Sequence, residues 1–297
     1  MKKNKGRVKQ KNEEYQVKET SQLFDFLMEN LKGRSRNNIK SLLTRKQILV
    51  NNIVVSQYNF ELVKGDVIKV TPFRNTVTNK MKLPIIYEDD MLIVINKPTG
   101  LLSIASDKEK EATAYRYVNE YLRQENPNAR AFVLHRLDKE TSGILMFSKT
   151  PNLVNALHKN WNHFVTKRAY FVVIKGKIPQ NSGVIKSYLH QSKTQQVYSG
   201  AKTKDAKYSE THYEFLRGNN EFSLYDVKLQ TGRKNQIRVH FRDLGYPIIG
   251  DDKYNGETTK IKRLGLHAYE IVFKNPITKK IMSFKTPIPK EFNLLLK

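Results

Sequence analysis

His135-Arg136-Leu137-Asp138-Lys139-Glu140-Thr141-Ser142-Gly143 places one carboxylate between two apolar segments. Ala131-Phe132-Val133-Leu134 precedes the stretch and Ile144-Leu145-Met146-Phe147 follows it. Short apolar runs bounded by turn residues read as buried strands. The stretch is therefore expected to form a tight loop held between core elements. Loops fixed by a scaffold are where catalytic side chains sit. Cations flank Asp138, with Arg136 before it and Lys139 directly after it. By itself, an Asp in a polar turn reads as a turn former or a helix cap.

The rest of the chain bounds what such a loop can serve. At 297 residues with 39% hydrophobic content, the chain is expected to hold about two domains plus tails. The formal net charge is +25. Such a surplus speaks of partners and not of fold, and nucleic acid is the first polyanion to consider. An anionic membrane surface is the rival, yet no apolar run nears the roughly 18–20 residues of a spanning helix. The basic, polar start carries no signal-peptide core. With no cysteine, disulfides, thiol catalysis and thiolate metal sites are excluded, and a cytoplasmic location fits. Seven scattered His without H-x-x-x-H spacing give no metal signal.

Residues 1–20 hold seven Lys/Arg against three Glu and are expected to be a disordered basic tail, either an RNA arm or a solvated end. A compact module follows over 21–72. Leu23, Phe26, Leu27 and Leu31 fall at helical spacing, Gly33 breaks that helix, and Ser35 is a candidate N-cap for the next. Ile48-Leu49-Val50, a turn at Asn51-Asn52 and Ile53-Val54-Val55 read as a hairpin. Residues 73–84 read as a polar linker. From Ile85 to residue 297 the pattern is strand-rich, with helices expected over Thr113 to Leu122 and Asn152 to Leu157. That mix predicts an α+β domain around a mixed, largely antiparallel central sheet.

The opening stretch resembles the catalytic loop of the RluA family of pseudouridine synthases, which act on ribosomal and transfer RNA. The family pattern is H-R-L-D, two variable residues, T-S-G, then an apolar strand ending in A/S-K, here Phe147-Ser148-Lys149. A second family signature, T-G-R-x-H-Q-I-R-x-H, is matched by Thr231-Gly232-Arg233-Lys234-Asn235-Gln236-Ile237-Arg238-Val239-His240. The opening signature matches Glu88-Asp89 through Asn96-Lys97-Pro98-Thr99-Gly100. The closing pattern matches Pro247-Ile248-Ile249-Gly250-Asp251-Asp252-Lys253-Tyr254 and then Leu266-His267-Ala268. Asn235 and Asn275 depart from the pattern, which more often has His at both places. The first departure bears on how the loop near Arg238 is held. Residues 21–72 resemble the S4 RNA-binding module, and Arg34, Arg36, Lys40, Arg45 and Lys46 match its RNA-facing cations. Their other reading is a solvated helix face.

The resemblance implies a chemistry and a set of roles. Pseudouridine formation breaks an N-glycosidic bond and rejoins the same base through carbon. No redox step occurs, so neither cofactor nor metal is implied. The base must leave the stack and be held by stacking and edge hydrogen bonds. By resemblance Asp138 is the catalytic carboxylate and Arg238 the cation that pairs with it. Arg136 helps displace the base or occupies the space it vacates, Tyr170 stacks on the flipped uracil, and Leu137 and Ile237 wall the pocket. Arg233 is the better candidate for a phosphate contact. Without the family match, Tyr170 reads equally well as a core aromatic. Whether Asp138 attacks the sugar, attacks the base or abstracts a sugar proton stays open. The resemblance implies large-subunit ribosomal RNA as the partner, with transfer RNA second, and no membrane or obligate protein partner.

Two other function classes fit parts of the sequence. A glycosidase needs paired carboxylates, and Glu88, Asp89 and Asp90 could supply a second, but they sit beside a predicted strand with no acid–base signature. A non-catalytic RNA-binding protein would not need Asp138, Tyr170 and Arg238 together.

Overall fold

The computed structural model describes residues 13–51, 53–71, 83–106, 109, 112–258 and 260–297. It divides the chain into two compact units, residues 1–81 and 82–297.

In the first unit, β1 (Glu13–Gln16), β2 (Ser21–Gln22), α1 (Leu23–Asn30), α2 (Arg36–Thr44), β3 (Ile48–Val50), β4 (Ile53–Val54), β5 (Glu61–Leu62) and β6 (Val67–Val70) follow in order. One sheet runs β1-β6-β3-β4 and a second pairs β2 with β5. Ser35 Oγ accepts from the Asn38 N–H and caps α2 as its sequence position predicts. Leu23, Leu27, Ile39, Ile48 and Ile68 share one core. The composition predicts a disordered tail to residue 20, and the structure corrects this for the part it describes. Residues 1–12 lie outside the described residues, but Glu13–Gln16 pairs along β6. The reason is local alternation: Tyr15 and Val17 turn toward the core, which a charge count over the window does not register.

The second unit carries β7 (Ile85–Glu88), β8 (Leu92–Lys97), α3 (Ala114–Glu125), β9 (Phe132–Val133), β10 (Ser142–Ser148), α4 (Pro151–Lys159), α5 (Trp161–Phe164) and β11 (Val165–Lys175). It continues with β12 (Ser182–Gln191), β13 (Val197–Gly200), β14 (Lys207–Gly218), β15 (Phe222–Leu229), α6 (Gln236–Asp243), β16 (Leu266–Lys274), β17 (Ile281–Lys285) and α7 (Lys290–Leu295). Eleven strands form one sheet in the order β13-β12-β14-β15-β11-β16-β10-β8-β7, with β17 on β16 and β9 on β10. Residues 73–82 of the expected linker lie outside the described residues. Leu83 and Pro84 belong instead to this unit: Leu83 packs on its core, and the Pro84 carbonyl accepts from the Asn96 N–H.

Alternation explains why β10 is buried along its whole length. Ile144 and Met146 enter the core beneath α4, while Leu145 and Phe147 enter the core beneath α3. A strand covered on both faces reads as a continuous apolar run. Thr113 and Thr150 cap the two helices by accepting from Arg116 N and Leu153 N, and Pro151 opens α4.

One seam is unlike the rest. β10 and β16 run parallel, with Ser142 beside His267 and Gly143 beside Ala268. Gly143 has φ +115, and a Cβ there would stand 2.1 Å from the Ala268 carbonyl oxygen. Backbone meets backbone, so no side chain can move aside. Gly143→Ala is expected to destabilise the unit by about 3 kcal/mol or more. Gly100→Ala, also at positive φ but with open space around it, is expected to cost about 1–2 kcal/mol. Urea midpoints measure both; equal losses would mean that conformation and not the seam sets the cost.

Candidate active site

The loop between β9 and β10 is clamped from below. Lys97 is fully buried, and its Nζ donates to the carbonyls of Pro98 (2.9 Å), Leu101 (2.7 Å) and Lys139 (3.0 Å). Thr99 Oγ1 donates to the Glu140 carbonyl at 2.7 Å. Ser103 Oγ donates to the Leu137 carbonyl and accepts from the Leu137 N–H. So the opening signature serves as the floor of the loop. Burial pulls the Lys97 ammonium down to about 7, while Glu140 and Asp138 oppose the shift. On the other side, Met146 N donates to His135 Nε2 at 3.2 Å. Burial, and then Arg168, push His135 down to about 3, so its ring is a neutral acceptor at physiological pH.

The second signature forms α6 and its approach, a helix that the strand-dominated reading of this region does not anticipate. Gln236 Oε1 accepts from Thr231 Oγ1 and Arg233 N, and its Nε2 donates to Thr211 Oγ1 and the Glu210 carbonyl. His240 bridges Thr211 and Ser187. Asn235 stands in the left-handed region at φ +53, which Asn tolerates better than most residues. Its Nδ2 donates to the Tyr254 hydroxyl at 2.9 Å, and its Oδ1 accepts from Arg238 Nη1 at 3.5 Å. The departure from His thus leaves the loop near Arg238 tied. Asn275 caps a turn by accepting from Ile277 N and Thr278 N.

These supports converge on a cleft of about 920 Å³. Its lining brings together Arg136, Leu137, Asp138, Tyr170, Arg233 and Arg238. Ile237 joins all six along a smaller adjoining pocket. Tyr170 lies in the middle of β11, paired with Val227 and Ala268, and packs partly buried against two apolar clusters while lining the cleft. Arg34, Arg36, Lys40, Arg45 and Lys46 belong to the first unit. Sequence reasoning missed Arg168, Trp161, Lys234 and Lys253 as cleft residues. Arg168 was within reach of it, since residues two apart on a strand share a face.

Arg238 requires a correction. The resemblance pairs it with Asp138, but its direct partner is Asp251. Nε and Nη2 donate to the two carboxylate oxygens at 2.8 and 2.6 Å, deep in the unit. Planar guanidinium and carboxylate match in this two-pronged way. Asp251 Oδ1 also accepts from the backbone of Lys253 and Tyr254. Asp138 feels Arg238 only as a nearby charge.

Among the described residues lining the cleft, Asp138 is the one carboxylate, and no hydrogen bond or ion pair holds its side chain. It keeps some surface open to the cleft. The dense protein around it still raises its pKa above the usual aspartate range, against the pull of Arg238, Lys234, Lys253 and Arg136. Burial likewise raises Tyr170. The acids that a hydrolase would need do not line the cleft: Glu88 pairs with Lys149 at 2.9 Å, Asp89 caps the β7–β8 turn, and Asp90 is exposed in that turn. Among the described residues no group of His, Cys, Asp and Glu is placed to hold a metal. No described helix is long and apolar enough to cross a membrane.

Comparison with known proteins fits this geometry. Residues 91–243 match the family model described as RNA pseudouridylate synthase. The chain belongs to that family. Its activity is the isomerisation of uridine in RNA to pseudouridine. It is 32% identical over 279 residues to a ribosomal large subunit pseudouridine synthase D of Neisseria meningitidis serogroup B, covering 88% of this chain and 74% of that one. It is 29% identical over 300 residues to the protein of the same name from Buchnera aphidicola, covering 93% and 94%. In fold it is similar to human RNA pseudouridylate synthase domain containing 1, with a TM-score of 0.58 and 23% identity over 69% of this chain and 83% of that one.

The two charges of the site should respond oppositely to removal. Arg238→Ala strands the fully buried Asp251, and such a loss typically costs about 3–5 kcal/mol. The two backbone donors that remain place the expectation near about 3 kcal/mol. Asp138 is different, because its folded pKa stands above the unfolded one. Its charge opposes folding at neutral pH, and stability from this group rises as pH falls through the folded pKa. Asp138→Asn should therefore unfold at the same urea concentration as the parent or a higher one. A clear loss of stability in that variant would mean that the carboxylate is a structural anchor.

Proposed function

We propose that Asp138 is the carboxylate of this isomerisation, and that the substrate is large-subunit ribosomal RNA. The observation that supports the first part is a single carboxylate, free of protein partners, in a cleft that also presents Tyr170 and whose other charged side chains are cations. Cations close enough to favour the charged form oppose the burial that raises its pKa, and none of them is bonded to the carboxylate, which leaves its oxygens free to react. The N1–C1′ bond of the target uridine breaks, the base turns, and a C5–C1′ bond forms. The C5 proton leaves and N1 takes one up, so no external reactant is consumed. Attack on the sugar, attack on the base and abstraction of a sugar proton all need an ionised Asp138.

Tyr170 offers a face for the extruded uracil, as aromatics hold unstacked RNA bases. Arg136 is exposed at the end of the same loop as Asp138. A guanidinium can stack and hydrogen-bond at once, which suits it to the space that the base vacates. Arg233, on the cleft lining, faces the strand's phosphates. For the first unit we propose RNA binding of the S4 type. Arg36, Lys40 and Arg45 are exposed in and after α2. Arg34 is held by Glu13 at 3.1 Å and contributes less free charge than its position suggests. The ribosomal target rests on the names of the relatives and on the +25 charge. A cytoplasmic location follows from that substrate and the absence of cysteine.

Single-turnover tritium release from uracil-5-labelled RNA, at saturating protein, tests the chemistry. Asp138→Asn should release none, while Tyr170→Phe keeps the platform and retains part of the rate. Release by folded Asp138→Asn near the parent rate would return Asp138 to a turn residue. The acid limb of kcat/KM should have its midpoint above the ordinary aspartate value of about 3.9. The groups facing Asp138 are Arg238, Lys234, Lys253, Arg136 and Tyr170. Removing any of the four cations should move that limb to higher pH, because the carboxylate then loses support for its charge. Pseudouridine mapping in cells with and without the gene decides the target. A lost site in transfer RNA, with ribosomal RNA unchanged, would overturn the ribosomal assignment.

A further inference from the structure

Two lysines of the cleft meet at one residue. Lys234 Nζ donates to Gln195 Oε1 at 2.9 Å, and Lys253 Nζ donates weakly to the Gln195 carbonyl at 3.5 Å. Gln195 sits in the turn between β12 and β13, at φ +66, where a residue with a Cβ is uncommon. The turn is closed by Ser192 N to the Gln196 carbonyl and Gln195 N to the Ser192 carbonyl. All three residues line the cleft that contains Asp138. Both lysines are exposed there.

This corner is short of negative charge. Among the described residues, neither lysine has a carboxylate within ion-pair distance, whereas Arg238 beside them is neutralised by Asp251. Burial, and then the charges of Arg238 and Lys234, pull the Lys253 ammonium below the usual lysine range. Two ammonium groups thus point at two oxygens of a neutral residue. A phosphodiester offers two oxygens in the same role with a full negative charge, so an ion pair would replace each ion–dipole bond.

We propose that Lys234 and Lys253 form a seat for one backbone phosphate of the RNA strand beside the extruded uridine, and that the oxygens of Gln195 occupy it in the free protein. The proposal rests on RNA entering this cleft. It gives the two lysines a task distinct from the roles assigned to Asp138, Arg136, Tyr170, Arg233 and Arg238. Arg233 and Arg136 flank the target nucleotide, and the seat fixes the chain next to it. The competing account is that the lysines only tie down the hairpin turn. The two accounts predict opposite signs for Gln195. If Gln195 is a placeholder, removing it frees the seat. If the lysines serve Gln195, removing either partner does the same damage.

The test uses the full chain and a short oligouridylate, with affinity measured across a series of KCl concentrations. Lys234→Gln/Lys253→Gln should weaken binding about tenfold near 0.1 M salt. It should also lower the slope of log affinity against log salt by about 0.7, the value for one phosphate on a single strand. Gln195→Ala should bind as tightly as the parent or more tightly. An unchanged slope in the lysine variant overturns the seat, and so does a Gln195→Ala variant that binds as weakly as the lysine variant. Should the double variant fold poorly by circular dichroism, each single exposed substitution carries the same comparison. A parent protein that converts no uridine in a large-subunit ribosomal RNA transcript would overturn the ribosomal assignment instead, and the salt slope would still decide the seat.

Discussion

The parallel contact between β10 and β16 is the constraint on which the rest of the catalytic unit depends. Only two residue pairs make it, Ser142 with His267 and Gly143 with Ala268. It joins the part of the sheet ending in β8 and β7 to the part running from β16 to β13. Asp138 hangs from the first part, four residues before β10. Tyr170 and Arg238 belong to the second. Any slip at the seam would move the carboxylate relative to the tyrosine and the guanidinium. The bonds around it act as a lock. Ser142 Oγ meets His267 Nδ1 at 2.7 Å, His267 Nε2 meets Thr286 Oγ1 at 2.9 Å, and Arg263 donates to the same Ser142 hydroxyl. Burial and the neighbouring Arg263 hold His267 down to about 3, so this chain stays uncharged through the physiological range.

The electrostatics follow from the same division. A carboxylate that pairs directly with an arginine is stable but occupied. A carboxylate buried with no cation nearby takes up a proton. Here the direct partner of Arg238 is Asp251, and Asp138 receives the field of several cations without a bond to any of them. Asp251 costs the fold a second buried ion, and its oxygens satisfy that cost with a two-pronged arginine and two backbone donors. Asp251 lines no cleft itself, yet it holds Arg238 at the site, and Lys253 of the same closing signature does line the cleft.

Much of the fold was legible because its signals are local. The cap at Ser35, the helices near Thr113 and Asn152, the hairpin at Asn51 and the buried run of β10 each declare themselves within a few residues. The site was legible through the signatures, which brought Asp138, Arg136, Tyr170, Arg233 and Arg238 to one cleft. What could not be read lies in long-range pairing. The choice of Asp251 over Asp138 depends on how α6 docks against the turn after Ile249, and no local pattern encodes it. β12, β13 and β14 alternate without strong apolar contrast, since one face of that part of the sheet is polar. α6 was hidden because its buried residues include Gln236, Arg238 and His240, so its inner face does not look apolar.

That inner face explains why the second signature contains the residues it does. A helix that buries polar side chains needs a partner for each, or every orphan donor costs about 1–3 kcal/mol. Gln236 spends its amide on Thr211, Thr231 and two backbone groups, His240 spends both ring nitrogens on hydroxyls, and Arg238 spends its guanidinium on Asp251 and Asn235. With each donor and acceptor committed, α6 has one arrangement against the sheet. Arg238 is then fixed beside the cleft by bonds that do not involve the reacting groups. A rigid cation held in this way favours the charged form of Asp138 without being bonded to it. The polar burial that conceals this helix in the sequence is therefore what makes the position of its arginine dependable.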